Sequence, residues 1–202
     1  MMRSLLFSMI ACFALSGAAI AAPTLGQSAP DFTATDITGK EVKLSSLKGK
    51  PVVLEWHNPG CPFVHKFYDG GDMQKLQAEL KAKGAVWLTI NSGAEGKQGH
   101  MSAADAAKYL AEQKAASDHY IIDSSGAIGR LYDAKTTPHM YVVDAQGKLA
   151  YQGAIDDKPT AKSSDIAGAS NYVRAAVEAL VAGKPVATPA TDPYGCSVKY
   201  KE

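Results

Sequence analysis

A short apolar run, Pro51-Val52-Val53-Leu54, leads straight into Glu55-Trp56-His57-Asn58-Pro59-Gly60-Cys61-Pro62-Phe63-Val64-His65-Lys66, and this join constrains the chain more than any other stretch. The run has the length and β-branched content of a strand covered on both faces. Beyond Cys61, Phe67-Tyr68 and then Met73-Gln74-Lys75-Leu76-Gln77-Ala78-Glu79-Leu80 have helical spacing, broken at Gly70-Gly71, with Asp72 placed to cap the second half. A cysteine between a strand end and a helix start lies among the unsatisfied N–H groups of a first turn, which favour a thiolate. His57 and His65, four residues to either side, add positive charge or accept the thiol proton. The competing reading is a small buried cysteine among inert histidines.

The chain has 202 residues, 46% of them hydrophobic, which suits one ordinary domain with extensions. A net charge of +1 gives no support to nucleic acid or an anionic surface as a partner. The N-terminus is expected to stand apart. Arg3, the apolar Leu5–Ala14 and Ala19-Ile20-Ala21 form the three parts of a secretory signal peptide over 1–21, with the mature chain starting at Ala22. An uncleaved anchor is disfavoured, because the run is short for a span and lacks a stop-transfer charge. Lipid attachment at Cys12 is disfavoured too, since Met9-Ile10-Ala11-Cys12 fits such a signal only loosely. The expected location is therefore the periplasm or the cell exterior. Of three cysteines, the mature chain keeps Cys61 and Cys196, which in an oxidising compartment form either a structural bridge or a redox pair.

Strands alternate with helices along the chain, which predicts an α/β layer fold. A hairpin is expected from Phe32-Thr33-Ala34 and Glu41-Val42-Lys43-Leu44. Strands are expected at Val52–Trp56, Ala85–Ile90, His119–Asp123, Met140–Asp144 and Lys148–Gly153, the last two making the sheet mixed. Helices are expected at Ala103–Leu110, after an N-cap signature at Ser102, and at Ala167–Ala182, with a helical turn over Gly126–Tyr132. The domain spans 22–183. Residues 184–202, with Pro185, Pro189 and Pro193, read as a largely irregular tail that carries Cys196. The acidic pair Asp156-Asp157 reads as solvated turn residues.

At this level the chain resembles the thioredoxin fold and, more narrowly, the redoxin group that includes peroxiredoxins and periplasmic thiol–disulfide proteins. Gly26-Gln27-Ser28-Ala29-Pro30-Asp31-Phe32, with Gly39-Lys40 and Leu47-Lys48-Gly49-Lys50, is similar to the redoxin entry hairpin. Thr136-Thr137-Pro138 before an apolar strand resembles the cis-proline loop. Asp144-Ala145-Gln146-Gly147 resembles the hairpin turn that follows it. The Gly-Cys-Pro-Phe-Val, Thr-Thr-Pro-His-Met and Tyr-Gly-Cys-Ser-Val-Lys-Tyr stretches are typical of a subgroup called peroxiredoxin-like.

The resemblance implies a mixed sheet flanked by helices, with Cys61 as nucleophile and Glu55 as a buried proton-moving acid. It also implies a cis Pro138 facing Cys61, with Thr137, Pro138, Trp56 and Pro62 at the substrate surface. Departures from the pattern matter. Val64 stands where thioredoxin has its second cysteine, so no disulfide forms within the motif. Leu54, Asn58 and Pro138 stand where a typical peroxiredoxin has Pro, Thr and Arg, which weakens a fast peroxidase reading unless Arg130 substitutes in space.

Thiol–disulfide exchange needs an accessible thiolate. Cys196 is the natural resolving partner, because a tail of about a dozen residues reaches roughly 30 Å when extended. The leading reading is thus an exported thiol–disulfide oxidoreductase that needs no cofactor and acts on a protein or small-molecule redox partner. The first alternative is a thiol peroxidase. The second is a Sco-like copper-binding protein using His57, Cys61, His65, His139 and Met140, a sulfur and imidazole set that suits copper.

Overall fold

The computed structural model describes residues 22–202, so the expected signal peptide and Cys12 lie outside the described residues. Five strands form the central sheet: β3 (Val52–Trp56), β4 (Val86–Asn91), β5 (His119–Ile122), β7 (His139–Val143) and β8 (Leu149–Gly153). Their order is β5-β4-β3-β7-β8, with β3, β4 and β5 parallel and β7 and β8 antiparallel. The mixed sheet expected from the sequence is therefore present. Strand β3 is central and buried along its whole length, as its unbroken apolar run requires. A small hairpin, β1 (Thr33–Thr35) with β2 (Glu41–Lys43), stands outside this sheet.

The two faces of the sheet carry different cores. Helices α1 (Pro62–Tyr68), α2 (Asp72–Ala82) and α5 (Tyr172–Val181) supply Val64, Phe67, Tyr68, Met73, Leu76, Val173 and Val177 to one face, with Val53, Met140 and Val142 beneath. On the other face Phe32 and Val42 from the hairpin segments and Ile128 from α4 (Ala127–Leu131) pack on Leu54, Trp56 and Tyr141. Helix α3 (Ala103–Gln113) starts where Ser102 caps it, the hydroxyl accepting from the Asp105 N–H at 3.1 Å. Helix α5 begins later than its apolar spacing predicts. Ser163–Asp165 forms a separate 3-10 turn, and Asn171 caps the helix by accepting from the Arg174 N–H at 2.8 Å. The break at Gly70-Gly71 is observed, but Gly71 is the cap of α2 and Asp72 its first residue.

The tail has little regular structure, and its first part is largely exposed, but from Thr191 to Tyr200 it is held to the domain at several points. Thr191 lies against β8, its N–H donating to Gln152 O at 3.1 Å and its hydroxyl accepting from Ala154 N at 2.9 Å. The chain then crosses to β6 (Thr136–Thr137), where β9 (Cys196–Ser197) pairs antiparallel, Thr137 opposite Cys196. It ends with the Tyr200 hydroxyl donating to Ala134 O at 2.7 Å. Among the described residues, no helix is long and apolar enough to cross a membrane.

Candidate active site

The segment between β3 and α1 is shaped by its own side chains. Past Trp56, the His57 N–H donates to Ile90 O at 2.8 Å and extends the ladder. Asn58 Oδ1 then accepts the Gly60 N–H at 2.9 Å, a side-chain turn that reverses the chain. The Asn58 amide also donates to Gln98 Oε1 at 2.9 Å, tying down the 93–100 loop beside it. Asn58, which stands where a typical peroxiredoxin has threonine, is thus a turn-forming residue here. Cys61 is the N-cap of α1, with φ −91° and ψ 122°, and Pro62 occupies the first helical position, where a missing N–H costs nothing. Cys61 is 0% exposed. An openly accessible thiol was the expectation; the tail covers it.

Opposite Cys61 lies the Thr137–Pro138 peptide, which is cis. The Cys61 thiol reaches Thr137 O at 3.0 Å. Because Thr137 pairs with Cys196, the second cysteine is delivered beside the first, with Thr137 meeting both. Burial tends to raise the Cys61 thiol, but the hydrogen bonds from Cys196 and at Thr137, with those from the Cys196 and Val64 backbone, outweigh it. The net result is a pKa below the ordinary thiol value. Cys196 moves the opposite way, pushed up to about 11 by burial and by its bond to the Cys61 sulfur. Of the two thiols, Cys61 is thus the more acidic.

Glu55 is fully buried on the α1–α2 face of the sheet. Its carboxylate accepts from Trp87 Nε1 at 2.8 Å, Tyr68 OH at 2.9 Å and Thr89 Oγ1 at 3.1 Å. Burial pushes its pKa up to about 7, against the pull of those donors. Trp56, expected at the substrate surface, is instead buried on the opposite face. Successive strand residues point to opposite sides, and its indole donates to Ser92 Oγ at 3.1 Å beside Tyr132 and Tyr141. Pro62 is exposed, and Thr137 and Pro138 are buried next to the thiol.

The five residues considered for copper do not converge. His57 is buried between Tyr120 OH at 2.9 Å and Tyr109 OH at 3.2 Å, and burial lowers its pKa to about 3. His139 Nδ1 accepts from the Lys135 N–H at 3.2 Å and lies against Tyr141, with its pKa also lowered by burial to about 3. His65 faces outward and pairs with Asp69 at 3.0 Å. Met140 is packed in the core with Cys61 and Val142. Among the described residues, no three His, Cys, Asp or Glu side chains form a group able to hold a metal ion. Arg130 does not reach the thiol: its guanidinium lies on the Tyr200 ring, 4.6 Å from the centroid, and donates to Lys201 O.

Three side chains to which the sequence assigned no such role hold the tail in place. Lys66 is buried on α1 and meets Asp156 at 3.1 Å, Lys158 O at 2.7 Å and Tyr194 OH at 3.2 Å. Tyr194 also donates to Asp156 and sets its ring against Phe63, centroids 5.8 Å apart. Asp156, expected to be a solvated turn residue, is thus the buried counter-ion of Lys66. The one advance signal was the position of Lys66 between Val64 and Phe67, on a helix otherwise apolar at that point.

A family model described as the AhpC/TSA family matches residues 25–152. A thiol-disulfide oxidoreductase ResA of Bacillus thuringiensis subsp. konkukian is 26% identical over 125 residues, covering 62% of this chain and 66% of that protein. The match thus falls just short of two thirds of that relative's length. Among solved structures, an uncharacterized conserved protein from Geobacillus kaustophilus superposes with a TM-score of 0.75 at 28% identity, over 88% of this chain and 93% of that one. A secreted Mycobacterium tuberculosis disulfide oxidoreductase, described as homologous to E. coli DsbE, superposes with a TM-score of 0.53 at 22% identity, over 74% and 96%. The fold is thioredoxin-like.

Proposed function

The chain belongs to the AhpC/TSA family, and from that premise we propose that it is a thiol–disulfide oxidoreductase in which Cys61 is the nucleophile and Cys196 resolves the product. One observation carries this reading: the β6–β9 pairing sets Cys196 opposite Thr137, whose carbonyl lies 3.0 Å from the Cys61 sulfur, and Cys61 is the more acidic of the two thiols. The Cys61 thiolate attacks one sulfur of a disulfide, forms a mixed disulfide and releases the other sulfur as a thiolate. Cys196 then loses its proton and attacks the Cys61 sulfur. The Cys61–Cys196 disulfide forms, and the substrate leaves with two electrons gained. Glu55, with a pKa near neutrality, is suited to take and return protons. Thr137, Pro138 and Pro62 form the contact surface for the partner.

The reaction is placed outside the cytoplasm, on the strength of the apolar Leu5–Ala14 stretch and the Ala19-Ile20-Ala21 site. The catalytic unit is residues 22–183, and 184–202 is a tail that brings Cys196. A peroxidase role is less favoured, since Arg130 is engaged by Tyr200 and Lys201 and Asn58 by its own turn.

Reduced protein mixed separately with a small mixed disulfide and with hydrogen peroxide, followed by intact mass, tests the reading. Rapid formation of a Cys61 adduct and then of an internal disulfide, faster with the mixed disulfide, supports it. A faster reaction with peroxide moves the assignment to a thiol peroxidase. Inertness of both thiols removes it altogether.

A further inference from the structure

The tail occupies the place a partner would need. Strand β9 lies on the free edge of β6, Thr136 opposite Ser197 and Thr137 opposite Cys196, and it leaves Cys61 with no exposed surface. The fit at this edge is selective. Gly195 has φ +135°, and a Cβ there would collide with the Thr137 carbonyl. Glycine is thus the residue the groove admits directly before the cysteine. One position earlier, Tyr194 fills a recess made by the Phe63 ring, Lys66 and Asp156. The main-chain pairing of this segment with the β6 edge is only two residues long, with Val198 N donating to Lys135 O at 3.0 Å and Ala94 N to Lys199 O at 2.8 Å beyond it. The rest of its hold comes from side chains, Tyr194 on Lys66 and Asp156 and Tyr200 on Ala134 O, so removing one of them is expected to favour the open edge.

We propose that the β6 edge is a peptide-binding site for which β9 is the exchangeable internal occupant, and that its external ligand is an extended segment of aromatic-hydroxyl residue, glycine and half-cystine. This rests on the oxidoreductase reading and adds the substrate class to it. The tail leaves the edge and the substrate strand pairs there through main-chain hydrogen bonds, the strand-addition mode of peptide recognition. The Cys61 thiolate then attacks the incoming sulfur, and the substrate's second sulfur departs as a thiolate. When β9 returns, Cys196 expels the first sulfur and closes the Cys61–Cys196 disulfide. Two electrons pass from the protein dithiol to the substrate disulfide.

Fully reduced full-length protein is treated with iodoacetamide, and the adducts at Cys61 and Cys196 are mapped by mass. Gly195→Ala and, independently, Tyr194→Ala are expected to raise the Cys61 rate about tenfold or more, because reaction proceeds through the open state. A synthetic 193–199 peptide carrying Cys196→Ser, added in excess, is expected to slow Cys61 again in both variants. The same peptide with Gly195→Ala as well is expected not to. Unchanged Cys61 rates in both variants, or equal protection by the two peptides, overturns the proposal. Hydrogen exchange on the wild-type chain provides a check independent of the variants. The Val198 amide should exchange well before those of β7, and equal protection overturns the proposal. Mixed-disulfide exchange run alongside separates the two claims. Absence of exchange with responsive alkylation removes the oxidoreductase reading and supports an exchangeable tail. Normal exchange with alkylation indifferent to both substitutions removes the tail proposal alone.

Discussion

Cys61 and Cys196 meet at Thr137, yet almost everything that positions them differs. Cys61 is set by its immediate neighbours: a central strand, an Asn58–Gly60 turn and the first turn of α1. Cys196 is set by residues far away in the chain, through a two-residue pairing with β6 and an anchor at Tyr194 on Lys66 and Asp156. Their thiols shift in opposite directions as a result. Hydrogen bonds pull the Cys61 thiol below its ordinary value, whereas burial and the neighbouring Cys61 push that of Cys196 up. A locally built nucleophile beside a remotely held partner gives one sulfur that stays in place and one that can leave and come back.

Four perturbations break or sharpen this contrast. The largest effect is expected from Cys61→Ser, which should lower the rate of exchange with a mixed disulfide by at least about a thousandfold, because a hydroxyl at neutral pH supplies almost no anion. Stopped-flow release of a chromogenic thiol checks this, and residual exchange through Cys196 would reverse the assignment of the two roles.

Next comes the anchor. Lys66→Met leaves Asp156 buried without its cation and should cost about 3–5 kcal/mol in denaturant unfolding, whereas Lys66→Met combined with Asp156→Leu should recover most of that loss. Equal destabilisation in the single and double variants would show that the pair does not act as a unit.

Glu55→Gln sharpens the comparison from below. A carboxyl raised from its ordinary value to about 7 makes the folded chain hold a proton that the unfolded chain releases, so stability falls as pH rises from about 4.5 to about 7. That loss amounts to about 3.5 kcal/mol at roughly 1.4 kcal/mol per pKa unit. Glutamine keeps an oxygen for Trp87 and Thr89 and turns its amide to Tyr68, which can accept. The variant should therefore lose this fall in stability, seen as a flatter dependence of Tm on pH between 5 and 8. An unchanged slope would mean that Glu55 is ionised throughout.

The smallest effect is expected from Cys196→Ser. The first attack should proceed while the Cys61 mixed disulfide persists, its release slowed about a hundredfold without an adjacent thiol. Intact mass after mixing follows the adduct directly, and release at the wild-type rate would dismiss Cys196 as the resolving group.

Much of the fold was legible from local pattern. The buried run before Cys61, the alternating hairpin arms and the capping serine at Ser102 each carry a period or a start signal within a few residues. The late start of α5 was not, because the apolar spacing from Ala167 does not show that Asn171 caps the helix. The position of Cys61 at a strand-to-helix join was readable for the same reason as β3 itself. The accessibility of its sulfur was misread, since the covering strand arrives from the far end of the chain.

The sequence by itself determined the α/β order, the strand–cysteine–helix join, the absence of a second cysteine within that motif and the presence of Cys196 near the C-terminal end of the sequence. All of these depend on contacts or spacings within one element. Only the tertiary structure decided that Trp56 and Glu55 are buried on opposite faces of the sheet, that Lys66 and Asp156 meet in the interior, and that Cys196 and Ser197 pair with β6. Those outcomes depend on which distant surfaces are brought together. Alternation along a strand divides its residues between two faces, but the helices and the tail that cover each face decide which one becomes the site.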